Sequence, residues 1–183
     1  LFYTKVKPKD AAEITAKTLV AGEDVPRLFV KDPETGERLR TKEDIPFFKH
    51  QSPEIFGANF EIDPQSITDY IHQGGYSALS KVLTEMTPEG VIEQITRSGL
   101  RGRGGAGFPT GVKWASCRKV EADTKFVICN ADEGDPGAYA NRSLLEGNPH
   151  SVIEGMVIGA YAIGSSQGYV YVRTEYPLAV ELM

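Results

Sequence analysis

From residue 63 to residue 97 the apolar positions recur at helical intervals, and prolines and glycines divide them into three runs. Asp63-Pro64, a capping residue followed by proline, opens the first run, with Ile67, Tyr70 and Ile71. Gly74-Gly75 breaks it, and Leu79, Val82, Leu83 and Met86 predict a second helix over 77–86 with one apolar face. Thr87-Pro88 repeats the capping device for a third helix over 89–97, with Val91, Ile92 and Ile95, closed by Ser98-Gly99. Farther on, residues 125–129 are apolar enough to read as a buried strand. Asn148-Pro149 then caps a helix with Val152, Ile153, Met156, Val157 and Ala160 on its inner side, Gly164 can end it, and residues 168–173 form the next strand. A strand, a crossover helix and a second strand make a right-handed parallel unit, so the pattern predicts an α/β fold with a parallel sheet. Ligands of such sheets sit at the carboxyl ends of the strands, here residues 130–135 and 173–175.

The first part of the chain has a different texture. Pro8 and Asp10 can start a helix that carries Ala11, Ile14 and Leu19 inward and stops at Gly22. Leu28-Phe29-Val30 reads as a short strand, with a Pro/Gly turn over 32–36 behind it. Residues 38–63 have the charges and prolines of a linker, yet Phe47, Phe48, Ile55, Phe56 and Phe60 predict that it packs on something. The predicted organisation is therefore the end of one domain over 1–36, a linker over 37–62, and the beginning of a second domain over 63–183. Leu1 is not a methionine, and Leu178, Val180 and Leu182 behind Pro177 suggest an element just starting, so the chain reads as a piece of a longer protein.

Composition narrows the function classes. A net charge of −5 argues against bulk nucleic-acid binding, and neither an apolar run of membrane-spanning length nor a signal peptide is visible. Cys117 and Cys129 are too few for a disulfide framework or a four-thiolate cluster and fit a reducing cytoplasm. His50, His72 and His150 lack a metal-like spacing. No serine or cysteine has a histidine partner in a recognisable hydrolytic motif.

The chemistry concentrates in residues 99–113, with six glycines and two arginines in fifteen positions. Such a run marks backbone that turns sharply or lies against something, and amides freed of side chains can point at phosphate beside Arg101, Arg103 and Lys113. Gly102-x-Gly104-x-x-Gly107 matches the dinucleotide pattern, but a helix rather than a strand precedes it. In a Walker A loop lysine would stand where Phe108 does. A flexible connector is the alternative. A second focus is Asn130-Ala131-Asp132-Glu133-Gly134-Asp135-Pro136-Gly137, acids between turn formers at a strand end. Together, a basic glycine loop can hold phosphate and an acidic loop a polar ring or ribose.

These blocks carry a resemblance. Gly102-Arg103-Gly104-Gly105-Ala106-Gly107-Phe108-Pro109-Thr110-Gly111-x-Lys113-Trp114, then Asn130-Ala131-Asp132-Glu133, then Pro149-His150 with Glu154-Gly155-Met156, resemble the flavin-bearing NADH-oxidising subunit of respiratory complex I and its relatives. The form of residues 132–139 and the segment before residue 63 resemble most the branch of NAD(P)-linked iron-only hydrogenases and formate dehydrogenase beta subunits. In that branch a thioredoxin-like, two-iron cluster domain often precedes the flavin domain, and residues 1–36 resemble its last portion. The resemblance implies an FMN/NAD-binding domain, present in part, in which Gly102, Arg103, Gly104, Gly105, Ala106, Gly107, Phe108, Pro109, Thr110 and Gly111 wrap FMN and the dinucleotide. Phe108 would stack near the adenine and Lys113 would contact the flavin. Asn130, Asp132 and Glu133 would hold the isoalloxazine and ribityl polar atoms. Glu133 and Asp135 would take part in the chemistry, Asp135 standing where the respiratory branch has glutamate. The whole protein would exchange a hydride between NAD(H) or NADP(H) and FMN and relay single electrons to iron-sulfur centres of a hydrogenase or formate dehydrogenase complex. The cysteines of its 4Fe-4S cluster would lie outside the present sequence, and the piece alone would be inactive. A binding or assembly module of the same fold without flavin chemistry is the alternative function.

Overall fold

Thr87 accepts a hydrogen bond from the Gly90 N–H at 3.1 Å and opens α5 (Pro88–Arg97) where the capping signal predicts. Asn148 does the same for Ser151 at 3.2 Å and opens α8 (Pro149–Ile163). The computed structural model describes residues 1–183 apart from the side chain of Phe60, so the packing expected of that ring lies outside the described residues. The chain divides into two units, Leu1–Pro53 and Glu54–Met183.

In the first unit Tyr3 organises the packing. Its ring stacks on Phe29 at 5.4 Å, and its hydroxyl meets Thr18 Oγ1 at 2.8 Å and accepts from the Val25 N–H at 2.9 Å. Val25, Leu28, Phe29 and Ile45 are buried in this unit. The turn over 32–36 joins β1 (Val30–Lys31) to an antiparallel β2 (Arg38–Leu39), and the strand starts two residues later than the expected Leu28, which closes a 3-10 turn. The helix continues α1 (Ala11–Ile14) into a wider π turn, Thr15–Val20. That winding carries the apolar stripe off its 3.6-residue period, and Leu19 is 75% exposed instead of turned inward. Phe48, on the short α2 (Pro46–Lys49), packs edge-on against Phe2 at 5.9 Å, whereas Phe47 is exposed.

Asp10 is buried, accepting from the Lys7 N–H and from Arg27, each at 2.8 Å. The Lys7 backbone bond first, then Arg27, holds its carboxyl below the ordinary carboxylate range. A carboxyl with a folded pKa below its unfolded value contributes stability that is complete above the unfolded pKa and is lost as pH falls through the folded one. Thermal melts are therefore expected to show Asp10→Asn less stable than wild type at pH 7, with the gap closing below about pH 4. A gap that persists undiminished at pH 2 would show that the charge is irrelevant.

In the second unit a turn in which Asp63 accepts from the Gln65 N–H replaces the cap expected at Asp63-Pro64. The working cap is Ser66, which accepts from the Asp69 N–H at 3.2 Å and opens α3 (Ile67–His72). Tyr70 is buried, but Ile67 and Ile71 are exposed. Helix α4 (Ser77–Glu85) contributes Val82, and α5 contributes Val91 and Ile92, to a core closed by Ala162 of α8, with Trp114 of α6 (Thr110–Lys119) packed against it. Strand β3 (Phe126–Ala131) pairs in parallel with β4 (Gln167–Val172), Phe126 opposite Gln167 and Ala131 opposite Val172, and the chain between them includes α8. The unit is thus α/β with a small parallel sheet.

A second core of Ala131, Leu145, Tyr176 and Ala179 joins β3 to α7 (Ala140–Gly147) and α9 (Pro177–Leu182). The expectation of a fully buried strand is corrected: Phe126, Ile128, Tyr169 and Tyr171 leave one sheet face exposed, Ile128 by 65%. Alternate residues of a strand point to opposite faces, and here only one of those faces is packed. Val157, read as inward, is 40% exposed on α8. No described helix is long and apolar enough to cross a membrane.

Candidate functional site

The glycine run closes on itself. Gly102 N–H donates to the Phe108 carbonyl and Thr110 N–H to the Leu100 carbonyl, both at 2.9 Å, which pairs Arg101 with Pro109 as a short antiparallel bridge. Arg101 Nη1 donates to the Gly107 carbonyl at 2.9 Å and ties the loop from inside. Gly105 turns the chain at φ +99°, a conformation that only glycine adopts without strain. Among the described residues the amides of residues 103–108 donate to no group of the chain. Arg103, Gly104, Gly105, Ala106, Phe108 and Lys113 are exposed, while Pro109 and Thr110 are half-buried.

The loop delivers directly into α6, so the run does open a helix although a helix precedes it. The first amides of any helix lack intrahelical acceptors, and the helix dipole leaves that end positive. From α4 to α8, side chains satisfy the other starts: Thr87 for α5, Asn148 for α8, Glu154 for α4 and Glu133 for α7. Among the described residues no side chain caps α6, and Lys113 stands in its first turn. Free amides, an uncapped helix start and nearby cations are the donor set that holds phosphate. Gly111 has another duty: a Cβ built there lies 2.2 Å from Thr96 Oγ1 and 2.8 Å from Thr96 Cα, so α6 crosses α5 at that glycine.

At the carboxyl end of β3 the structure gathers Asn130, Asp132, Glu133 and Asp135. Asn130 Oδ1 accepts from the Asp132 N–H at 3.1 Å, and Asp132 and Asp135 expose their carboxylates. Glu133 differs, being 8% exposed. Its Oε1 accepts from the Ala140 N–H at 2.7 Å and the Asn141 N–H at 3.1 Å, and Oε2 from the Arg142 N–H at 3.4 Å. Tyr139, in the left-handed conformation at φ +53°, turns the chain into the helix that this carboxylate caps. The Glu133 carboxylate thus serves the start of α7. Arg142 pairs with Glu146 at 2.9 Å.

Two residues without an assigned role complete the arrangement. Arg173, at the end of β4, donates to the Glu133 carbonyl and to Glu175. Glu154 is buried on α8 and accepts from Tyr70 Oη at 2.5 Å and from the Tyr76 and Leu79 N–H groups, each at 3.0 Å. Burial first, then the Glu154 bond, pushes the Tyr70 phenol well above its ordinary range, so it stays a donor. Sequence spacing carries no sign of either contact, because each joins residues 40 or more positions apart. Among the described residues no hydrogen bond or ion pair joins the glycine loop to the strand-end loop.

A parallel strand unit carrying an acidic strand-end loop, entered through an open glycine loop at a helix start, defines an α/β nucleotide-type binding domain. Residues 95–183 match the family Complex1_51K, described as the Nuo51 FMN-binding domain. Over 120 residues, 66% of this chain and 24% of the relative, it is 60% identical to the NADP-reducing hydrogenase subunit HndC of Solidesulfovibrio fructosivorans. Over 121 residues, 66% of this chain and 29% of the relative, it is 48% identical to an NADH-quinone oxidoreductase subunit of Rhizobium meliloti. A solved NAD+-reducing [NiFe]-hydrogenase in the air-oxidized state is similar over 98% of this chain and 28% of its own, with TM-score 0.56 and 26% identity. The chain therefore spans about a quarter of the length of the curated relatives it matches.

Proposed function

We propose that the chain is part of a flavoprotein subunit that exchanges a hydride between NAD(P)H and FMN and passes single electrons to iron-sulfur centres of a hydrogenase or dehydrogenase complex. The observation that carries this reading is the uncapped start of α6 behind a loop whose amides are free. Gly102, Arg103, Gly104, Gly105, Ala106, Gly107 and the first turn of α6 would hold the cofactors' phosphates, with Arg103 and Lys113 adding charge. Phe108, 54% exposed beside those amides, offers a ring face for the adenine. Flavin, when bound, supplies acceptance of two electrons and their release one at a time.

Asp132 and Asp135, with Asn130, are the polar groups left to meet ring and ribose donors, and Asp135 serves the nicotinamide side. Glu133 acts on them from behind, by fixing the loop to α7. Rigid support of this kind matters because hydride transfer requires two rings held at near-contact distance. The likeness to a hydrogenase chain across both units supports reading residues 1–36 as the end of a thioredoxin-like, two-iron cluster domain, 37–62 as a linker and 63–183 as the beginning of the flavin domain. The names of the relatives favour a hydrogenase over a formate dehydrogenase as the partner assembly. The 4Fe-4S ligands would correspond to the part of the relatives' length that this chain does not span.

Gly104 offers the cleaner test of the loop. Gly105→Val would strain a backbone at φ +99°, whereas Gly104 has an ordinary φ and no atom within 4 Å of an added Cβ. In the full-length protein, FMN titration followed by flavin fluorescence should show stoichiometric binding for wild type. Gly104→Val should bind about tenfold more weakly, about 1.4 kcal/mol, with circular dichroism unchanged. Undiminished affinity in Gly104→Val would return the loop to a connector, and a wild-type protein without flavin would favour a binding or assembly module.

A further inference from the structure

The strand-end loop is gripped from two directions at one residue. The Glu133 carboxylate caps α7, while its carbonyl accepts from Arg173 Nη1 at 2.5 Å, across from the neighbouring strand β4. The other arm of the guanidinium, Nη2, donates to Glu175 Oε1 at 2.6 Å. Behind it lies Tyr176, 6% exposed, whose ring centre is 5.8 Å from the Arg173 guanidinium and 5.4 Å from that of Arg142. Only the planar fork of arginine reaches a carbonyl and a carboxylate at once while resting on a ring. Arg173 is 26% exposed, and the Asp132 charge acts on it as well. Its bond holds the Glu175 carboxyl down to about 2, so the pair stays charged at any working pH.

By contrast, the loop beyond Glu133 has little packing of its own, with residues 134–140 all exposed. Left alone, such a segment samples many orientations and must be ordered when a ligand binds, which reduces affinity. Holding the Glu133 carbonyl from β4 removes that freedom for Asp132 on one side and shortens the free span leading to Asp135 on the other.

We propose that Arg173 is a positioning residue of the flavin and dinucleotide site, clamping Glu133 so that the free carboxylates of Asp132 and Asp135 are presented in one orientation. This assignment rests on the flavin reading above. It differs from a merely structural role in one respect: the value of the Asp132 carboxylate to the ligand depends on the clamp. Two groups acting through one element give non-additive effects, whereas independent damage adds.

The test is a double-mutant cycle in the full-length protein, read as FMN affinity by fluorescence titration, with circular dichroism and thermal melts alongside. Arg173→Met is expected to weaken FMN binding about tenfold and Arg173→Lys, which keeps one donor, about threefold. Asp132→Asn should weaken binding in the wild-type background by about tenfold, but by about twofold or less in the Arg173→Met background. If Arg173→Met does not fold, the same cycle on Arg173→Lys gives the answer. Wild-type FMN binding with unchanged affinity in the Arg173 variants, or strictly additive losses, overturns the assignment of Arg173 alone. A wild-type protein that binds no FMN overturns the flavin reading and this assignment with it.

Discussion

Glu154→Leu is expected to remove about 4 kcal/mol from the stability of the chain, as the sum of one buried and two part-buried donors left without an acceptor at about 1–3 kcal/mol each. The carboxylate is 7% exposed and accepts from one tyrosine hydroxyl and two backbone amides at the start of α4. Those amides cannot find water once leucine fills the space, and Tyr76, at φ +59°, fixes the turn that presents them. The same site carries a hydrogen bond between Tyr76 Oη and His150 Nδ1 at 2.9 Å, so three elements loosen together. Against a total of about 5–15 kcal/mol for an ordinary domain, a loss of that size approaches unfolding. Glu154→Gln, which keeps the shape and one acceptor oxygen, should cost about half as much. Urea unfolding of the 183-residue chain, followed by far-ultraviolet circular dichroism, measures both. A change below about 1 kcal/mol for Glu154→Leu would mean that the donors find other partners and that the buried carboxylate is incidental.

What the sequence makes legible follows from how far each signal reaches. Thr87 and Asn148 cap helices that begin one residue later, so the signal and its effect occupy the same few positions. The parallel pair β3 and β4 is legible for a similar reason, since its two apolar runs and the helix between them need only the handedness of a crossover. Helix α7 escapes notice because its cap, Glu133, stands seven residues ahead of Ala140 and is joined to it only by the fold. Residues 130–137 therefore look like a loop of turn formers, when one of its acids is a buried structural group. Leu19 and Ile128 fail in the opposite direction: local pattern marks both as core, but a widened turn displaces the first and an uncovered sheet face exposes the second. The glycine run is legible as a place where backbone matters. Which glycine serves the fold and which is free to serve a ligand is a matter of neighbours, and neighbours are not written in spacing.

Gly111→Val is expected to cost about 3 kcal/mol, the upper end for overpacking a well-filled contact. An added Cβ would lie 2.2 Å from Thr96 Oγ1, which a rotamer change could relieve, but also 2.8 Å from Thr96 Cα and N, which only a shift of the α5 backbone could. That backbone carries Val91 and Ile92 into the core, and Trp114, one turn farther along α6, packs on the same cluster. Separating the two helices therefore opens the core as well as the contact, and Thr96→Ala in the same chain should restore less than half of the loss. Gly104→Val is the internal control, because nothing lies within 4 Å of its Cβ and the fold should tolerate it. The pair separates two reasons for a glycine in one short run: Gly111 admits another helix, and Gly104 leaves its amide open to whatever binds. Urea midpoints of the 183-residue chain decide between them. Equal stability of Gly111→Val and wild type would show that α5 and α6 have room to spare, and a large loss in Gly104→Val would show that the loop is held by contacts within the chain rather than kept open for a cofactor.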